Sequence, residues 1–351
     1  MSTDVTVRLD RIAARHAAKS AVSELSFAVE QPGSGLVWSC GPADRPYFIA
    51  SITKLFTVAV TMQLRSEGAF ALDTPVAEIL GEQTMQGLVV HDGLDYAAKI
   101  TVRQLLAHTS GIADHYEDRD ADNVCLADRL ADEDRFWSFE ELLQLTRRLP
   151  SPFVPGQPGR AHYSDTNFQL LGRVAEICDG ERFDTVVRRR IIEQLGLQHT
   201  WHLTLDTQDR YEAVAPVFRK RRRLKIPLTL ASSLPDGGVV STTTDQLRFV
   251  RAFTSGELFP SAYLDEMTAQ WNRLSSSFGP LRYGLGLMRF ALPRSQTLFM
   301  RLPTMIGHSG SFGSVLYYAP TSDLYIAGTV NQTHPRSLPY PLVARILMAL
   351  R

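Results

Sequence analysis

The run YFIASITKLFTVAV, residues 47–60, places Ser51 and Lys54 three positions apart in otherwise apolar surroundings that include Phe48, Ile49, Ala50, Ile52, Leu55 and Phe56. Such a run reads as a buried helix, and a lysine within it must either reach water or serve a purpose. At helical spacing, positions i and i+3 share a face, so the Ser51 hydroxyl and the Lys54 amine can meet. Burial disfavours an ammonium and is expected to lower its pKa, which would make Lys54 a proton acceptor. A hydroxyl beside such a base is the basic unit of nucleophilic catalysis. Taken alone, S-x-x-K also arises by chance in a chain of this length, so the assignment needs further groups.

Two later stretches supply them. RAHYSDTNFQLLG (160–172) gathers Tyr163, Ser164, Asp165 and Asn167 ahead of an apolar helical run from Phe168 to Ile177. Asp165 or Thr166 suits the cap of that helix. Tyr163 has a second use, because a phenol near a lysine can be held partly ionised and act as a base. GHSGSFGSVLYYAP (307–320) brings His308, Ser309, Gly310 and Ser311 to the start of a strand. Its glycines allow the backbone to approach a ligand closely and present the Ser311 N–H to a carbonyl oxygen.

The elements that must hold these groups are legible in outline. Apolar positions from Val5 to Ala21 recur at helical spacing. LSFAVEQ and GLVWSCG, separated by PGSG, read as a hairpin. The Ser51 helix ends near Gly68, and Asp73 and Thr74 before Pro75 signal another start. Residues 101–200 are mostly helical in pattern, for example Thr101 to Ala107 and Phe139 to Leu149, broken by the turn-rich SPFVPGQPGR. The last third changes to short strands: YGLGLMRFAL, TLFMRL, TMIGHSG, SVLYYAP and LYIAGTV, followed by a closing helix, YPLVARILMAL. The expected fold class is therefore α/β (α+β), with one antiparallel sheet built from both chain ends and flanked by helices. Residues 1–65 and 230–351 would form the sheet-containing domain and 66–229 a mostly helical one, with the active site at their interface.

Composition narrows the function. The 351 residues are 44% hydrophobic and carry 37 basic and 37 acidic side chains, a balance that argues against coating nucleic acid or an acidic membrane. FRKRRRLK (218–225) is a basic run without a wider basic field and reads as a solvated loop. Three widely spaced cysteines, Cys40, Cys125 and Cys178, suit reduced thiols. The charged N-terminus is unlike a signal peptide, and no apolar stretch has membrane-spanning length. A cytoplasmic location is expected. His91, His115, His162, His199 and His202 lack tight ligand spacing, so no metal and no cofactor are expected. His108, at the end of a helical pattern, is expected to be structural. GHSGS is not a G-x-S-x-G elbow, since Ser311 takes the last glycine's place.

In order, the three clusters resemble the S-x-x-K, Y-x-N and K-T-G series of serine β-lactamases and penicillin-binding proteins. The likeness is to the branch holding class C β-lactamases, D-alanyl-D-alanine carboxypeptidases, D-aminopeptidases and family VIII carboxylesterases. TVRQLLAHTSGI (101–112) and PDGGVVSTTTDQLRFVRAF (235–253) resemble framework segments of that branch, so the likeness runs from about residue 45 to 330. It implies a β-lactamase/transpeptidase-like fold, Ser51 as the acylated nucleophile, Lys54 as proton acceptor or electrostatic partner, and Tyr163 as phenolic base. It also implies an oxyanion hole at the N–H groups of Ser51 and Ser311, with His308 at the lysine position of K-T-G, Ser309 at the threonine, and Gly310 at the glycine.

Two departures bear on substrate choice. Asp165 stands where the family has an asparagine; ionised, it only accepts, so Asn167 or another donor would have to hold an acylamido group. His308 for lysine removes a permanent charge and weakens any grip on a carboxylate. The expectation is a serine hydrolase that cleaves a small-molecule ester through an acyl-enzyme. A D-amino-acid peptidase or amidase, or a weak β-lactamase, is the near alternative, and a non-catalytic binding protein keeping the fold is the distant one. No nucleic-acid partner is expected, and a homo-oligomer stays open.

Overall fold

The computed structural model describes residues 2–129, 132–274, 279, 281–297 and 299–351. An amphipathic first helix, α1 (Ser2–Ala17), leads into a hairpin of β1 (Ser26–Gln31) and β2 (Leu36–Cys40). Gly35, at φ 70, closes the turn between them. The strands Leu281–Tyr283, Met288–Phe290, Met305–Ser309, Ser314–Ala319 and Leu324–Thr329 then run as an antiparallel meander, with Asn272–Arg273 at its outer edge. The two chain ends meet where β1 pairs with Leu324–Thr329, Ser26 opposite Thr329 and Glu30 opposite Tyr325. The result is one eight-stranded sheet with β2 as its other edge.

Side chains alternate across this sheet. Phe27, Val29, Val315, Tyr317, Leu324 and Ile326 enter the layer under α1 and the closing helix Tyr340–Ala349. Ala28, Leu316, Tyr325 and Ala327 face the opposite core, which holds α2 (Thr53–Ser66) and the helix Thr243–Ser255. Along Met305–Ser309 the same parity puts Met305 in the first layer and Ile306 in the second. Helix α2 is buried along almost its whole length between this sheet and the helices Asp165–Asp179 and Phe183–Val187, while Val102–Leu106 and Phe139–Arg147 pack on Asp165–Asp179. Capping boxes at Thr101 and Ser138 fix the starts of Val102–Leu106 and Phe139–Arg147.

Two expectations about local structure need correction. TLFMRL forms no strand at its described residues, and Leu298 lies outside them. The Thr297 hydroxyl donates instead to the Met300 carbonyl at 2.6 Å, a local bond that competes with a ladder. The basic run is a hairpin and not a loop: Val217–Arg219 pairs with Arg222–Leu224 around Lys220 at φ 58. Its charges are dispersed into surface pairs, Arg222 with Asp132 and Arg223 with Glu212. Among the described residues no helix is long and apolar enough to cross a membrane.

Candidate active site

Ser51 lies on a single 3-10 turn, Ala50–Ile52, that feeds directly into α2. Ala50 adopts φ 48, a left-handed conformation that costs a non-glycine residue about 1–2 kcal/mol and that the surrounding packing must hold. The turn is clamped from the far side. Thr57 Oγ1 donates to the Pro235 carbonyl at 2.5 Å, and the Val239 N–H donates to Thr53 Oγ1 at 3.1 Å. Residues 235–239 are thereby fixed along one side of α2.

Lys54 is fully buried, and three oxygen atoms surround its Nζ. Nζ stands 3.3 Å from Ser51 Oγ, 2.8 Å from the Asp236 carbonyl and 2.6 Å from Asp165 Oδ1. Burial is the largest influence and works to lower its pKa, but the Asp165 and Asp236 carboxylates outweigh it and hold the pKa above the ordinary lysine value. The expected neutral lysine is therefore corrected: Lys54 rests as an ammonium.

Tyr163 is also corrected. Its ring lies 4.5 Å from that of His108 and 5.2 Å from Lys54 Nζ. Burial and the Asp165 charge push its pKa well above 10, against the opposing influence of the Ser51 hydroxyl, so it rests as a neutral phenol. With an ammonium on one side of Ser51 and a phenol on the other, neither expected base is free to take its proton.

The strand Met305–Ser309 ends beside the same turn. A Cβ on Gly310 would lie 2.4 Å from the Ile49 carbonyl oxygen and 2.3 Å from Ser314 Oγ, so only glycine allows this approach. It brings Ser311 to the cavity that Ser51 lines, and the Ser311 N–H donates to no acceptor among the described residues. His308 shares the parity of Ile306 and faces α2, fully buried. Its Nδ1 sits 2.9 Å from the Ser309 carbonyl, which can only accept, so Nδ1 carries the proton and Nε2 accepts the Tyr283 hydroxyl at 3.2 Å. Burial first, and the Lys54 charge second, lower its pKa to about 3. His308 is therefore neutral in the folded chain and, as the loss of the family's lysine suggests, offers no charge to a carboxylate.

Ser309 follows the opposite parity and leaves the site: its hydroxyl bonds those of Tyr340 at 2.7 Å and Tyr317 at 3.1 Å under the closing helix. Asn167 is likewise removed from any substrate. It is fully buried, its Oδ1 accepting from Ser110 and its Nδ2 donating to His108 Nδ1. Asp165 does not cap its helix; Ser164 occupies that position, and the Asp165 carboxylate turns to Lys54. Thr166 donates to the Ala113 carbonyl. His108 has the local partners expected of it, accepting from the Ser164 N–H and packing on Tyr163 and Tyr283.

Three groups are absent from the sequence reading. Asp236 lies inside the PDGGVV segment, which carries no catalytic pattern of its own. Burial and the Asp165 charge raise its pKa to about 7, and its Oδ2 accepts from Gln169 at 3.0 Å. Asp114 positions Asp165 by accepting its backbone N–H at 2.9 Å. Tyr283 donates to the His308 Nε2 that the Ser309 carbonyl leaves unprotonated. Ser51, Asp165, Asp236, His115, Ser311 and Phe312 line a cavity of about 40 Å³, room for a small group only. Ser311, Phe312 and Tyr116 also line an adjoining cavity of about 280 Å³. Among the described residues no cluster of His, Cys, Asp and Glu could hold a metal ion.

Comparison with known proteins identifies the family and the fold. A family model described as Beta-lactamase matches residues 10–347. Penicillin-binding protein 4 of Amycolatopsis lactamdurans is 28% identical over 241 residues, 65% of this chain and 55% of that protein. A putative D-alanyl-D-alanine carboxypeptidase of Escherichia coli (strain K12) is 30% identical over 44% of this chain and 33% of its own length. The chain thus matches about half or less of the length of these curated relatives. A D-stereospecific amidohydrolase from Streptomyces sp. superposes with a TM-score of 0.73 at 27% identity, covering 93% of this chain and 94% of that one. The fold is shared with D-amino acid amidase from Ochrobactrum anthropi SV3, TM-score 0.80 at 21% identity over 99% of both chains. With the family model spanning nearly the whole sequence, the chain belongs to the Beta-lactamase family.

Proposed function

We propose that the protein is a serine hydrolase that cleaves small esters or amides through an acyl-enzyme on Ser51. The observation that carries this reading is the Lys54 ammonium held against Ser51 Oγ at 3.3 Å by two further fixed acceptors. Ser51 Oγ would attack the carbonyl carbon while the N–H groups of Ser51 and Ser311 receive the developing oxyanion, an interaction typically worth several kcal/mol. Tyr163, a neutral phenol whose ring lies 5.2 Å from Lys54 Nζ, would protonate a leaving group.

Esters are favoured as substrates because an alcohol leaves more readily than an amine, and because the site offers neither the family's lysine charge nor its asparagine amide. A second reading, hydrolysis of D-amino-acid amides, draws support from two observations. The Asp165 and Asp236 carboxyl groups line the Ser51 cavity, where they would suit a substrate ammonium, and the Streptomyces amidohydrolase is 27% identical. The three cysteines, all free, fit a reducing cytoplasmic location. The test is a panel of p-nitrophenyl esters, D- and L-amino-acid amides and nitrocefin, with mass spectrometry of the acylated protein. One adduct on Ser51, lost in Ser51→Ala, supports the reading; turnover within a few-fold of wild type in that variant rejects it.

A further inference from the structure

Ser51 has no free base in the resting site, yet Lys54 is in direct contact with a group that its family counterpart lacks. An asparagine at position 165 could accept a hydrogen bond from Lys54 but could not take its proton; a carboxylate can do both. We propose that Asp165 is the proton store of this site, taking a proton from Lys54 so that the neutral amine can in turn take the proton of Ser51. The proposal rests on the acyl-enzyme reading above and adds to it a role for the residue that departs from the family pattern.

The separation and burial of the two groups suit the exchange. Asp165 Oδ1 is 2.6 Å from Lys54 Nζ, inside a site where the lysine is fully buried and the carboxylate nearly so, at 14% side-chain exposure. Among the described residues Lys54 is the one cation in salt-bridge contact with Asp165. In such surroundings an ion pair and its neutral counterpart lie close in free energy, because desolvation of the two charges offsets much of their attraction. Expulsion of water by a bound substrate shifts the balance further toward the neutral pair. Asp114 holds the Asp165 backbone, and the Asp236 carbonyl holds Nζ, so neither partner must move.

The steps balance. A proton passes from Lys54 Nζ to Asp165 Oδ1, leaving an amine and a carboxylic acid. Ser51 Oγ bonds the substrate carbonyl carbon as its proton moves to Nζ, and the carbonyl electron pair becomes the oxyanion. When the oxyanion collapses, the bond to the leaving group breaks and the leaving atom receives its proton from Nζ, directly or through Tyr163. Asp165 then returns its proton to Nζ, and the ion pair is restored with Ser51 acylated.

Other titratable groups face this pair and must be kept apart from it. Asp236, Tyr283 and Tyr163 surround Lys54; Asp114, Glu117, Arg336 and His115 surround Asp165; His108 and His308 lie close to Lys54. Of these, Asp236 is the one whose own ionisation falls near neutrality.

The test is the pH dependence of kcat/KM for p-nitrophenyl acetate from pH 4 to 9 in wild type, Asp165→Asn, Asp165→Glu and Asp236→Asn, with the Ser51 adduct followed by mass spectrometry. In wild type the proton of Lys54 passes to Asp165 and not to solvent, so the acidic limb is not set by loss of a proton from Lys54. In Asp165→Asn the base is the lysine alone, so the limb moves up by two pH units or more. Activity at pH 6 then falls at least 100-fold and recovers about tenfold per pH unit above it. Asp165→Glu keeps the low limb, which also guards against a folding defect in the amide variant. A uniform loss at every pH in Asp165→Asn, or a limb that moves with Asp236→Asn instead, overturns the proposal. Absence of a Ser51 adduct in wild type overturns the acyl-enzyme reading itself, so the two failures are distinct.

Discussion

His308 Nε2 accepts the Tyr283 hydroxyl at 3.2 Å, and this bond joins two strands of the meander. With Nδ1–H committed to the Ser309 carbonyl at 2.9 Å, both ring nitrogens are used by the protein. His308 is thus a neutral spacer and not an anion receptor. His308→Lys, which restores the family residue, should not create a carboxylate grip. It should bury an ammonium against the Lys54 charge and lower stability by about 2–5 kcal/mol. Denaturant melts at pH 7 measure the loss; a variant as stable as wild type, with tightened binding of carboxylate-bearing substrates, would show that the site has an opening toward position 308.

Acid should unfold this protein early. His16, His115 and His202 are each lowered to about 4, and His308 to about 3, with burial the first cause in every case. Each is neutral in the folded chain while its unfolded counterpart takes up a proton near pH 6.5, so the unfolded state binds more protons and stability falls as pH drops below about 6.5. At pH 5 each contributes a loss of about 1–2 kcal/mol. Urea midpoints at pH 7 and pH 5 test this, and His308→Gln should remove about that much of the difference. A slope unchanged in the variant would mean that His308 is protonated in the folded protein.

Much of the architecture was legible because it is periodic. The near-continuous apolar and aromatic runs of SVLYYAP and LYIAGTV, buried on both faces, and the helical spacing of α2 and the closing helix report burial, and burial is what local pattern encodes. The same logic, applied one residue at a time, would have separated His308 from Ser309: Met305 and Ile306 already alternate, and the motif-based grouping overlooked it. The protonation of Lys54 was not legible, since it depends on Asp165 and Asp236, which tertiary packing alone brings to it. Asn167 misled for a related reason. Its amide is consumed by Ser110 and His108 on a distant loop, and no spacing within its own helix signals that.

The approach of the 305–309 strand to the Ser51 turn makes Gly310→Ala a sharp probe. Its Cβ would meet the Ile49 carbonyl oxygen at 2.4 Å and Ala50 Cβ at 2.9 Å, both on the turn that carries Ser51. The strand end must retreat and take the Ser311 N–H with it. Losing one oxyanion donor typically costs on the order of 10²–10³ in rate, so kcat/KM should drop at least that far. Gly33→Ala, where nothing lies within 4 Å of the new Cβ, is the matched control and should leave the rate unchanged. Equal rates in both variants would remove Ser311 from the oxyanion hole.

Asp236→Asn separates the charge of this carboxyl from its shape. Asp236 is buried and its pKa is raised to about 7, burial first and the Asp165 charge second, against the opposing pull of Lys54 and the Gln169 bond. Between roughly pH 4 and 7 the folded chain therefore holds a proton here that the unfolded chain has released. The folded state binds more protons over that range, so this group makes stability fall as pH rises, opposite in sign to the histidines. An asparagine preserves the acceptor for Gln169 Nε2 and, because Lys54 uses the backbone carbonyl, preserves that contact too. The variant should consequently gain stability relative to wild type as pH goes from 5 to 8, by on the order of 2–3 kcal/mol. Urea denaturation of both proteins at pH 5, 6.5 and 8 gives the comparison. A difference that does not change with pH would mean that Asp236 is ionised throughout, and that Lys54 shares its charge between two carboxylates at every pH tested.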